Sequence, residues 1–231
     1  MKVIVTCGPS YEPIDEVRRL TNFSSGELGV LLSRELARAG CEVLCFKGSG
    51  ATATGPESPC RVSAFNTNDD LLALLSQAAA GGDIAAVFQA AALCDYRVKQ
   101  VLDEQGTDCA APKIASRAGA LTLQLEPSTK VIAQLRRLFP QSLLVGWKYE
   151  LAGTREEALA RAHRQIAEAR VDACVVNGRA FGPGFGICRP GRPLAVCADK
   201  SQLVVHLADW LLAVFSRAAT EAGTTGRAAG G

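Results

Sequence analysis

The side chains best suited to chemistry lie in one long polar segment near the N-terminus, between Thr6 and Gly29. It contains acidic, basic, amide and hydroxyl groups, namely Tyr11, Glu12, Asp15, Arg18, Arg19, Asn22, Ser24 and Ser25. Small residues such as Gly26 and Gly29 dominate its end. Such residues let a phosphate approach the backbone closely, and the serine hydroxyls add hydrogen-bond donors. The segment therefore predicts a site for a phosphate-bearing ligand.

The elements on either side of this segment favour the same interpretation. An apolar run at residues 3–6 predicts a strand, and the pattern of residues 28–39 predicts a helix that ends before Gly40. Where a strand leads into a helix in an α/β sheet, backbone N–H groups and the positive end of the helix converge on ligands. Gly8 and Ser10 lie just after the predicted strand and belong to the same candidate site.

Strand and helix patterns alternate along the rest of the chain. Strands are predicted at residues 3–6, 42–47, 61–64, 84–89, 121–125, 143–148 and 173–176, and helices at 28–39, 68–79, 130–138, 155–169 and 200–218. The short continuous apolar runs are typical of strands covered on both faces. The order predicts a Rossmann-like α/β fold with a doubly wound, mostly parallel sheet. Asn68 is predicted to cap the second helix.

Three segments interrupt this alternation. Residues 99–119 are polar and weakly patterned, which predicts a long functional flap, and residues 178–193 predict a second irregular excursion. The low-complexity tail at residues 220–231 is predicted to be disordered. Residues 1–219 are therefore expected to form one domain.

Composition excludes several classes of function. The net charge of the 231 residues is +2, and no basic stripe interleaved with aromatic residues predicts nucleic-acid binding. No apolar run reaches the roughly 18 residues that span a bilayer, and no secretory signal precedes the first strand, so we expect a cytoplasmic protein. Nine cysteines without a Cys-x-x-Cys pair, and only two histidines, argue against disulfides or a metal site within the protein.

Further candidate site residues follow the predicted strands. Ala91 and Asp95 come after the strand at residues 84–89, where a carboxylate can hold a ribose or an amine, although Asp95 is equally suited to capping a turn. Lys113 in the flap can neutralise phosphate oxygens, although most lysines are simply solvated. Trp147 can cover a nucleobase or pack in the core.

The start of the helix at residues 130–138 is a further candidate. Ser128 or Thr129 can cap this helix, and Lys130 is then free to reach outwards.

The first polar segment reads Thr-x-Gly-x-Ser-x-Glu-x-Ile-Asp-x-Val-Arg-x-Leu-Thr-Asn-x-Ser-Ser-Gly-x-x-Gly. It resembles the opening of phosphopantothenoylcysteine synthetase, the phosphopantothenate–cysteine ligase of coenzyme A biosynthesis. Ala-Ala-x-x-Asp-Tyr at residues 91–96, Lys-Ile at 113–114, Val-Gly-Trp-Lys at 145–148 and Val-Val-Asn at 175–177 resemble later motifs of that family, in the same order. The resemblance covers residues 1 to about 216 and is to the monofunctional form, without a flavin decarboxylase domain.

The resemblance implies an activity and a site. A homodimer would join cysteine to 4′-phosphopantothenate through an acyl-nucleotidylate formed from CTP rather than ATP, with Mg²⁺ on the triphosphate and no flavin. Asn22 and Lys113 would be catalytic. The implied nucleotide contacts are Gly8, Ser10, Ser24, Ser25, Gly26, Ala91, Asp95, Ser128, Thr129, Lys130, Val131, Trp147 and Lys148.

Two departures from the family pattern affect this site. Tryptophan at position 147 replaces the family's phenylalanine. Gln165 and Ala169 stand where bifunctional relatives carry lysines, with Arg161 and Arg164 nearby as candidate replacements.

Two other functions remain open from the sequence. A non-catalytic nucleotide-binding module could retain Gly26 and Asp95, although the presence of both Asn22 and Lys113 argues against it. A nicotinamide-dependent oxidoreductase would be consistent with Gly26-x-x-Gly29 before a helix, but the Gly-x-Gly-x-x-Gly motif is absent.

Overall fold

The computed structural model describes residues 1–56, 59–116 and 119–225, which form twelve strands and five helices. The strands are β1 Lys2–Cys7, β2 Tyr11–Pro13, β3 Arg19–Thr21, β4 Glu42–Gly48, β5 Arg61–Phe65, β6 Ile84–Gln89, β7 Tyr96–Leu102, β8 Thr122–Pro127, β9 Leu143–Tyr149, β10 Ala173–Asn177, β11 Phe185–Cys188 and β12 Ala195–Cys197. The helices are α1 Glu27–Arg38, α2 Asn68–Ala80, α3 Val131–Leu138, α4 Arg155–Ala169 and α5 Lys200–Thr225.

Eight strands form one sheet in the order β12-β11-β10-β9-β6-β1-β4-β5. The six strands from β10 to β5 are parallel, and β11 and β12 add an antiparallel edge. From β1 the chain builds the sheet in one direction through β4 and β5, and then in the other through β6, β9 and β10. The predicted Rossmann-like, mostly parallel sheet is confirmed, and its topological switch point lies between β1 and β6.

Helices cover both faces of the sheet. Val3 and Val5 of β1 face a core cluster that contains residues of α1 and α5. Ile4 between them faces a second cluster, formed with residues of α2, α3 and α4. Each inner strand is thus apolar on both faces, which explains the continuous apolar runs of the sequence.

Two hairpins stand outside this sheet. β2 pairs with β3 inside the first polar segment, and β7 pairs with β8 on either side of the flap. The strand predicted at residues 121–125 is confirmed as β8, but among the described residues it pairs with β7 and lies outside the main sheet. The prediction of an irregular flap from residue 99 is wrong at its start, because β7 continues to Leu102. Residues 178–193 likewise contain β11, which pairs with β10 at the antiparallel edge.

The helix ends correct two further predictions. Thr67, not Asn68, is the N-cap of α2, and Thr67 and Asp70 form a reciprocal capping box. Helix α5 continues to Thr225, beyond the predicted end at residue 218 and into the segment predicted to be disordered. Residues 226–231 lie outside the described part of the chain. Within the described residues, no helix combines the length and apolar character needed to cross a membrane.

Candidate functional site

A cleft of about 530 Å³ opens at the carboxyl ends of β6 and β9. Its walls include Ala91 and Asp95 after β6, residues 128–131 at the start of α3, and Trp147 and Lys148 of β9. These are eight of the residues that the sequence predicts as nucleotide contacts. The cleft lies beside the switch point, where doubly wound sheets bind their ligands.

Asn68 holds two walls of the cleft together. Its Nδ2 donates to the carbonyl oxygens of Cys94 at 2.8 Å and Thr129 at 3.0 Å, and lies 3.1 Å from Ser128 Oγ. The side chain is buried at the first position of α2, and the residue lines the cleft. From the sequence, Asn68 is predicted only to cap α2. Its contacts are 26 to 61 residues away along the chain, so no local pattern reveals them.

Ser128 and Thr129 also have different roles from those predicted. Ser128 Oγ donates to Glu12 Oε1 at 3.3 Å, and Thr129 Oγ1 donates to Asp69 Oδ1 at 2.6 Å. Lys130 is the N-cap of α3, and no side chain caps that helix, so the capping prediction is wrong. Glu12 is buried, and burial raises the pKa of its carboxyl group. The hydroxyls therefore fix the wall of the cleft to the first polar segment and to α2.

Two amide oxygens on this wall lack partners. Asn68 Oδ1 and Gln89 Oε1 are buried and accept no hydrogen bond within the described residues. Gln89 is the last residue of β6, is 5% exposed and lines the cleft. Together with the carboxylate of Asp95, these oxygens give the cleft an excess of hydrogen-bond acceptors.

Trp147 lines the cleft, but its ring lies on the other face of the sheet. Along β9, Leu144 packs in the core of the α2–α4 face, whereas Val145 and Trp147 pack against the core of the α1 and α5 face. Gly146 lies between them, and a Cβ there would approach Ile132 and Gln165 on the cleft side. This alternation contradicts the prediction that the indole ring covers a base and supports core packing instead.

A second cavity of about 260 Å³ adjoins the first and shares Lys130, Ile132, Lys148 and Gln165 with it. Arg161 and Arg164 of α4 add two more cations to its lining. Arg161 is paired with Glu150 at 2.8 Å, whereas Arg164 is exposed and makes no ion pair within the described residues. With Glu168 as its one acidic lining residue, this cavity is suited to a polyanion.

The serine- and glycine-rich end of the first polar segment forms a separate feature. Gly26 is the N-cap of α1, in the left-handed conformation with φ of 78°, and follows Ser24 and Ser25. None of these three residues lines the cleft. A Cβ on Gly26 would lie 3.2 Å from the Cα of Gly8, so the two glycine turns pack against each other. The residues predicted to form a single nucleotide site thus lie in two places, the cleft and the N-terminus of α1.

Ser10 is a structural residue rather than a lining one. It is fully buried, its Oγ accepts from Cys94 N at 2.8 Å, and its carbonyl accepts from Thr21 Oγ1 at 2.7 Å. These bonds attach the first polar segment to the loop after β6. The predicted direct contact between Ser10 and nucleotide therefore lacks support, because nothing of Ser10 reaches solvent.

The two predicted catalytic residues lie outside the cleft, and contacts are made by Asn22 itself and by the residue that follows Lys113. Asn22 is exposed and its Nδ2 donates at 2.9 Å to the carbonyl of Leu93, which lines the cleft. Lys113 is exposed in the flap, next to Ile114. Ile114 N donates to Asp15 Oδ2 at 3.2 Å, and its carbonyl accepts from Arg18 Nη2 at 2.7 Å. The flap is thereby docked on the first polar segment.

Cys41, Cys45 and Cys174 are buried, and so are Cys7 and Cys94 beneath the loops. Cys7 Sγ and Cys45 Sγ lie 3.8 Å apart, and the hydrogen bond between them raises the pKa of Cys7 and lowers that of Cys45 to about 7. Within the described ranges, no three metal-ligating side chains cluster at one place.

Comparisons with solved structures support the fold. The DNA/pantothenate metabolism flavoprotein of Streptococcus pneumoniae superimposes with a TM-score of 0.81 at 22% identity, over 93% of this chain and 99% of that one. A Cab2 mutant in complex with phosphopantothenate-cysteine gives a TM-score of 0.71 at 16% identity, over 94% of this chain and 89% of that one.

Sequence comparisons extend this likeness to a family. The chain is 34% identical over 182 residues to the coenzyme A biosynthesis bifunctional protein CoaBC of Thermococcus kodakarensis. The match covers 78% of this chain but 42% of that protein, so the chain spans less than half of this relative. Residues 1–198 match a family profile described as the DNA/pantothenate metabolism flavoprotein C-terminal domain. The chain therefore belongs to the family of DNA/pantothenate metabolism flavoprotein C-terminal domains.

Proposed function

We propose that the chain is a phosphopantothenate–cysteine ligase that uses CTP. The names of its relatives support this proposal, because one acts in coenzyme A biosynthesis and one solved neighbour holds phosphopantothenate-cysteine. The observation that carries it is the position of Asn22, which donates to the carbonyl of Leu93 in the cleft wall and stands two residues before the serine pair at the N-terminus of α1, so that it links two candidate anion sites. One is the cleft with its cationic extension, and the other is the N-terminus of α1. A ligase that joins a phosphorylated acid through a nucleotide needs two such sites.

The nucleotide would occupy the cleft and the cavity next to it. Its nucleoside half suits the acceptor-rich walls, where Asp95 can take the ribose hydroxyls. Its triphosphate suits the lysines and arginines around the second cavity, which include Lys130, Lys148 and Arg164. Magnesium would arrive as part of the substrate, on the triphosphate oxygens, since Mg²⁺ in such sites is held mainly by substrate phosphates and water.

The phosphate of 4′-phosphopantothenate would bind at the start of α1. The positive end of the helix favours an anion there, Ser24 adds a hydroxyl donor, and Ser25 Oγ, which accepts from Glu27 N at 3.3 Å, can donate its own proton. Gly26 and Gly8 pack against each other and against Ala51, which holds the turn before α1 in place. Under this proposal, Ser24, Ser25 and Gly26 bind the phosphate of 4′-phosphopantothenate and do not bind the nucleotide.

The reaction would proceed in two balanced steps. The pantothenate carboxylate attacks the α-phosphorus of CTP, a carboxylate–phosphorus bond forms, and pyrophosphate leaves. The amine of cysteine, after loss of a proton, then attacks the acyl carbon and expels CMP. Activation is required because a carboxylate is a poor acyl donor at neutral pH.

Asn22 and Lys113 have roles that suit this scheme. Asn22 links the two sites and can donate a neutral hydrogen bond to the acyl intermediate, where further charge would be unfavourable. Lys113 can stabilise the negative charge that develops during nucleotidyl transfer. The docking of the flap on Asp15 and Arg18 gives this lysine a defined position beside the first polar segment.

We also propose a homodimer. Tyr96 and Leu125 are 56% and 46% exposed on the β7–β8 hairpin, and Phe23 is fully exposed beside Asn22. Large apolar residues exposed this close to a site are typical of a surface that a partner covers.

The test is pyrophosphate release in the presence of 4′-phosphopantothenate, cysteine and magnesium, measured in parallel with CTP and ATP. Release that requires phosphopantothenate, and is faster with CTP, is the expected result. Folded protein that releases no pyrophosphate with either nucleotide would instead favour a non-catalytic nucleotide-binding module.

A further inference from the structure

The orientation of the Asn68 amide is determined by its neighbours. The carbonyl oxygens of Cys94 and Thr129 both lie within 3.0 Å of Nδ2, and a carbonyl can only accept a hydrogen bond. The nitrogen must therefore face them, and Oδ1 is the remaining acceptor. Asn68 is 2% exposed, and Oδ1 receives no donor from the described residues. A buried acceptor without a donor is costly, so a ligand that supplies one is favoured.

Gln89 adds a second acceptor to the same cleft. Along β6, Val87 packs in the core of the α2–α4 face, whereas its neighbours Ala86 and Phe88 pack in the opposite core. The alternation of the strand therefore directs Gln89 to the face that carries Asn68. Its Oε1 is buried and also has no donor within the described residues.

The surrounding protein groups do not supply the missing donors. The hydroxyl of Ser128 donates to Glu12, and the backbone N–H of Ala91 donates to Thr6 Oγ1. Lys130 and Lys148 line both cavities and are needed for the phosphates of the proposed ligand. The donor that fits must come from the nucleoside, as a base amine or a ribose hydroxyl.

We propose that Asn68 and Gln89 select the nucleobase by accepting hydrogen bonds from its exocyclic amine. This inference rests on the proposed function, because it requires a nucleotide in the cleft. The charged Asp95 is suited to the ribose diol, which leaves the neutral buried amides for the base. Cytosine presents an amine at C4, whereas uracil presents a carbonyl there that would meet a second acceptor. The pair thus favours CTP over UTP.

The experiment is equilibrium binding of CTP and UTP, with magnesium and without phosphopantothenate or cysteine. Wild-type protein is expected to bind CTP about tenfold or more tightly than UTP, the scale of one hydrogen bond and one unpaired buried acceptor. Asn68→Ala and Gln89→Leu are each expected to bring this ratio towards one, mainly through weaker CTP binding. Gln77→Leu, at an exposed glutamine of α2, is the matched control and should leave the ratio unchanged.

Asn68 also holds Cys94 and Thr129, so its loss can weaken the fold. Such weakening affects both nucleotides alike, and the CTP-to-UTP ratio therefore isolates the role of Oδ1. Asn68→Asp keeps an acceptor and loses the donors, and it should preserve the preference for CTP even where stability falls. A wild-type ratio near one, or an unchanged ratio in both Asn68→Ala and Gln89→Leu, would overturn the inference.

Deoxynucleotides separate the two sources of the donor. Loss of the 2′- or 3′-hydroxyl of CTP should weaken binding by the same factor in wild type and in Asn68→Ala. If Asn68→Ala instead abolishes the effect of removing a hydroxyl and leaves the CTP-to-UTP ratio intact, the donor is the ribose and the proposal is wrong. Selective CTP binding without pyrophosphate release would support the role of Asn68 and Gln89 and refute the ligase activity. Ligation with equal binding of CTP and UTP would support the ligase activity and refute the role of Asn68 and Gln89.

Discussion

Asp15 and Arg18 form a two-bond ion pair, in which Arg18 Nε and Nη2 donate to Asp15 Oδ2 at 3.0 and 2.6 Å. Both residues also bind the flap, because Asp15 Oδ2 accepts from Ile114 N and Arg18 donates to the Ile114 carbonyl. The side chain of Asp15 has no exposed surface, although the turn around it is open. One ion pair therefore joins two segments that are almost 100 residues apart and fixes the position of Lys113.

Replacement of this aspartate should release the flap. In Asp15→Asn the amide cannot accept from both Arg18 and Ile114 with the strength of a carboxylate, because charged hydrogen bonds are roughly twice as strong as neutral ones. We expect faster hydrogen exchange of the Ile114 amide and a lower rate of nucleotidyl transfer. Asp103→Asn is the matched control, since Asp103 binds Gln105 N and Thr107 N within the flap but not the first polar segment.

The same contact should depend on pH. The guanidinium of Arg18 holds the pKa of Asp15 well below its ordinary value of 3.8. A lowered pKa means that the contribution to stability is present above the unfolded value and is lost as the pH falls through the folded one. The protection factor of the Ile114 amide, the ratio of its intrinsic to its observed exchange rate at each pH, should thus fall below about pH 4 in the wild type, and the variant should lack this dependence. Equal behaviour of the two proteins at acid pH would contradict this account.

Asn22→Asp tests the role proposed for the amide that links the two sites. A carboxylate cannot donate to the Leu93 carbonyl, and it adds negative charge next to anionic substrates. Ligation should fall by about 100-fold or more, the usual effect of removing one donor that stabilises a reacting oxygen. CTP binding, measured by calorimetry, should change little. A parallel loss of CTP affinity would instead indicate that Asn22 has a structural role at the wall of the cleft.

The sheet could be predicted from the sequence because its strands are local apolar runs. Residues 84–89 and 155–169 agree with β6 and α4 at both ends, and the five other parallel strands differ by one or two residues, whereas the antiparallel edge strands β11 and β12 were not predicted. A strand that is buried on both faces is a continuous apolar run, which can be recognised even when its partner strands are unknown. The β7–β8 hairpin lacks that signal because its residues are mostly exposed.

The walls of the cleft could be predicted only in part. The polar residues that follow each strand were predicted as site residues because the carboxyl ends of parallel strands meet at one edge of the sheet. Asn68 and Gln89 were missed as cleft residues, since each depends on which side of its element faces the cleft. That choice is set by packing between α2, α3 and β6, which no short motif encodes.

Gly29→Ala should disturb the site at the start of α1. A Cβ on Gly29 would lie 2.3 Å from the Cβ of Cys7, so α1 would have to move away from β1. Such overpacking typically costs about 1–3 kcal/mol, which urea unfolding would detect. The KM for 4′-phosphopantothenate should rise more than that for CTP, because α1 is remote from the cleft. Gly55→Ala is the control, as a Cβ there has no neighbour within 4 Å among the described residues.

Arg164→Gln should weaken binding of the triphosphate of CTP. Arg164 lines the second cavity and has no acidic partner within the described residues, so its charge is available to a ligand. The KM for CTP should rise by about threefold to tenfold, less than a buried charged hydrogen bond would give, because the arginine is exposed to solvent. Arg137→Gln, on the exposed face of α3, is the charge-matched control and should leave the KM unchanged. Since an exposed cation is screened by salt, the difference between the two variants should shrink as ionic strength rises. A KM for CTP that rises equally in both would show that net charge, and not this cavity, holds the phosphates.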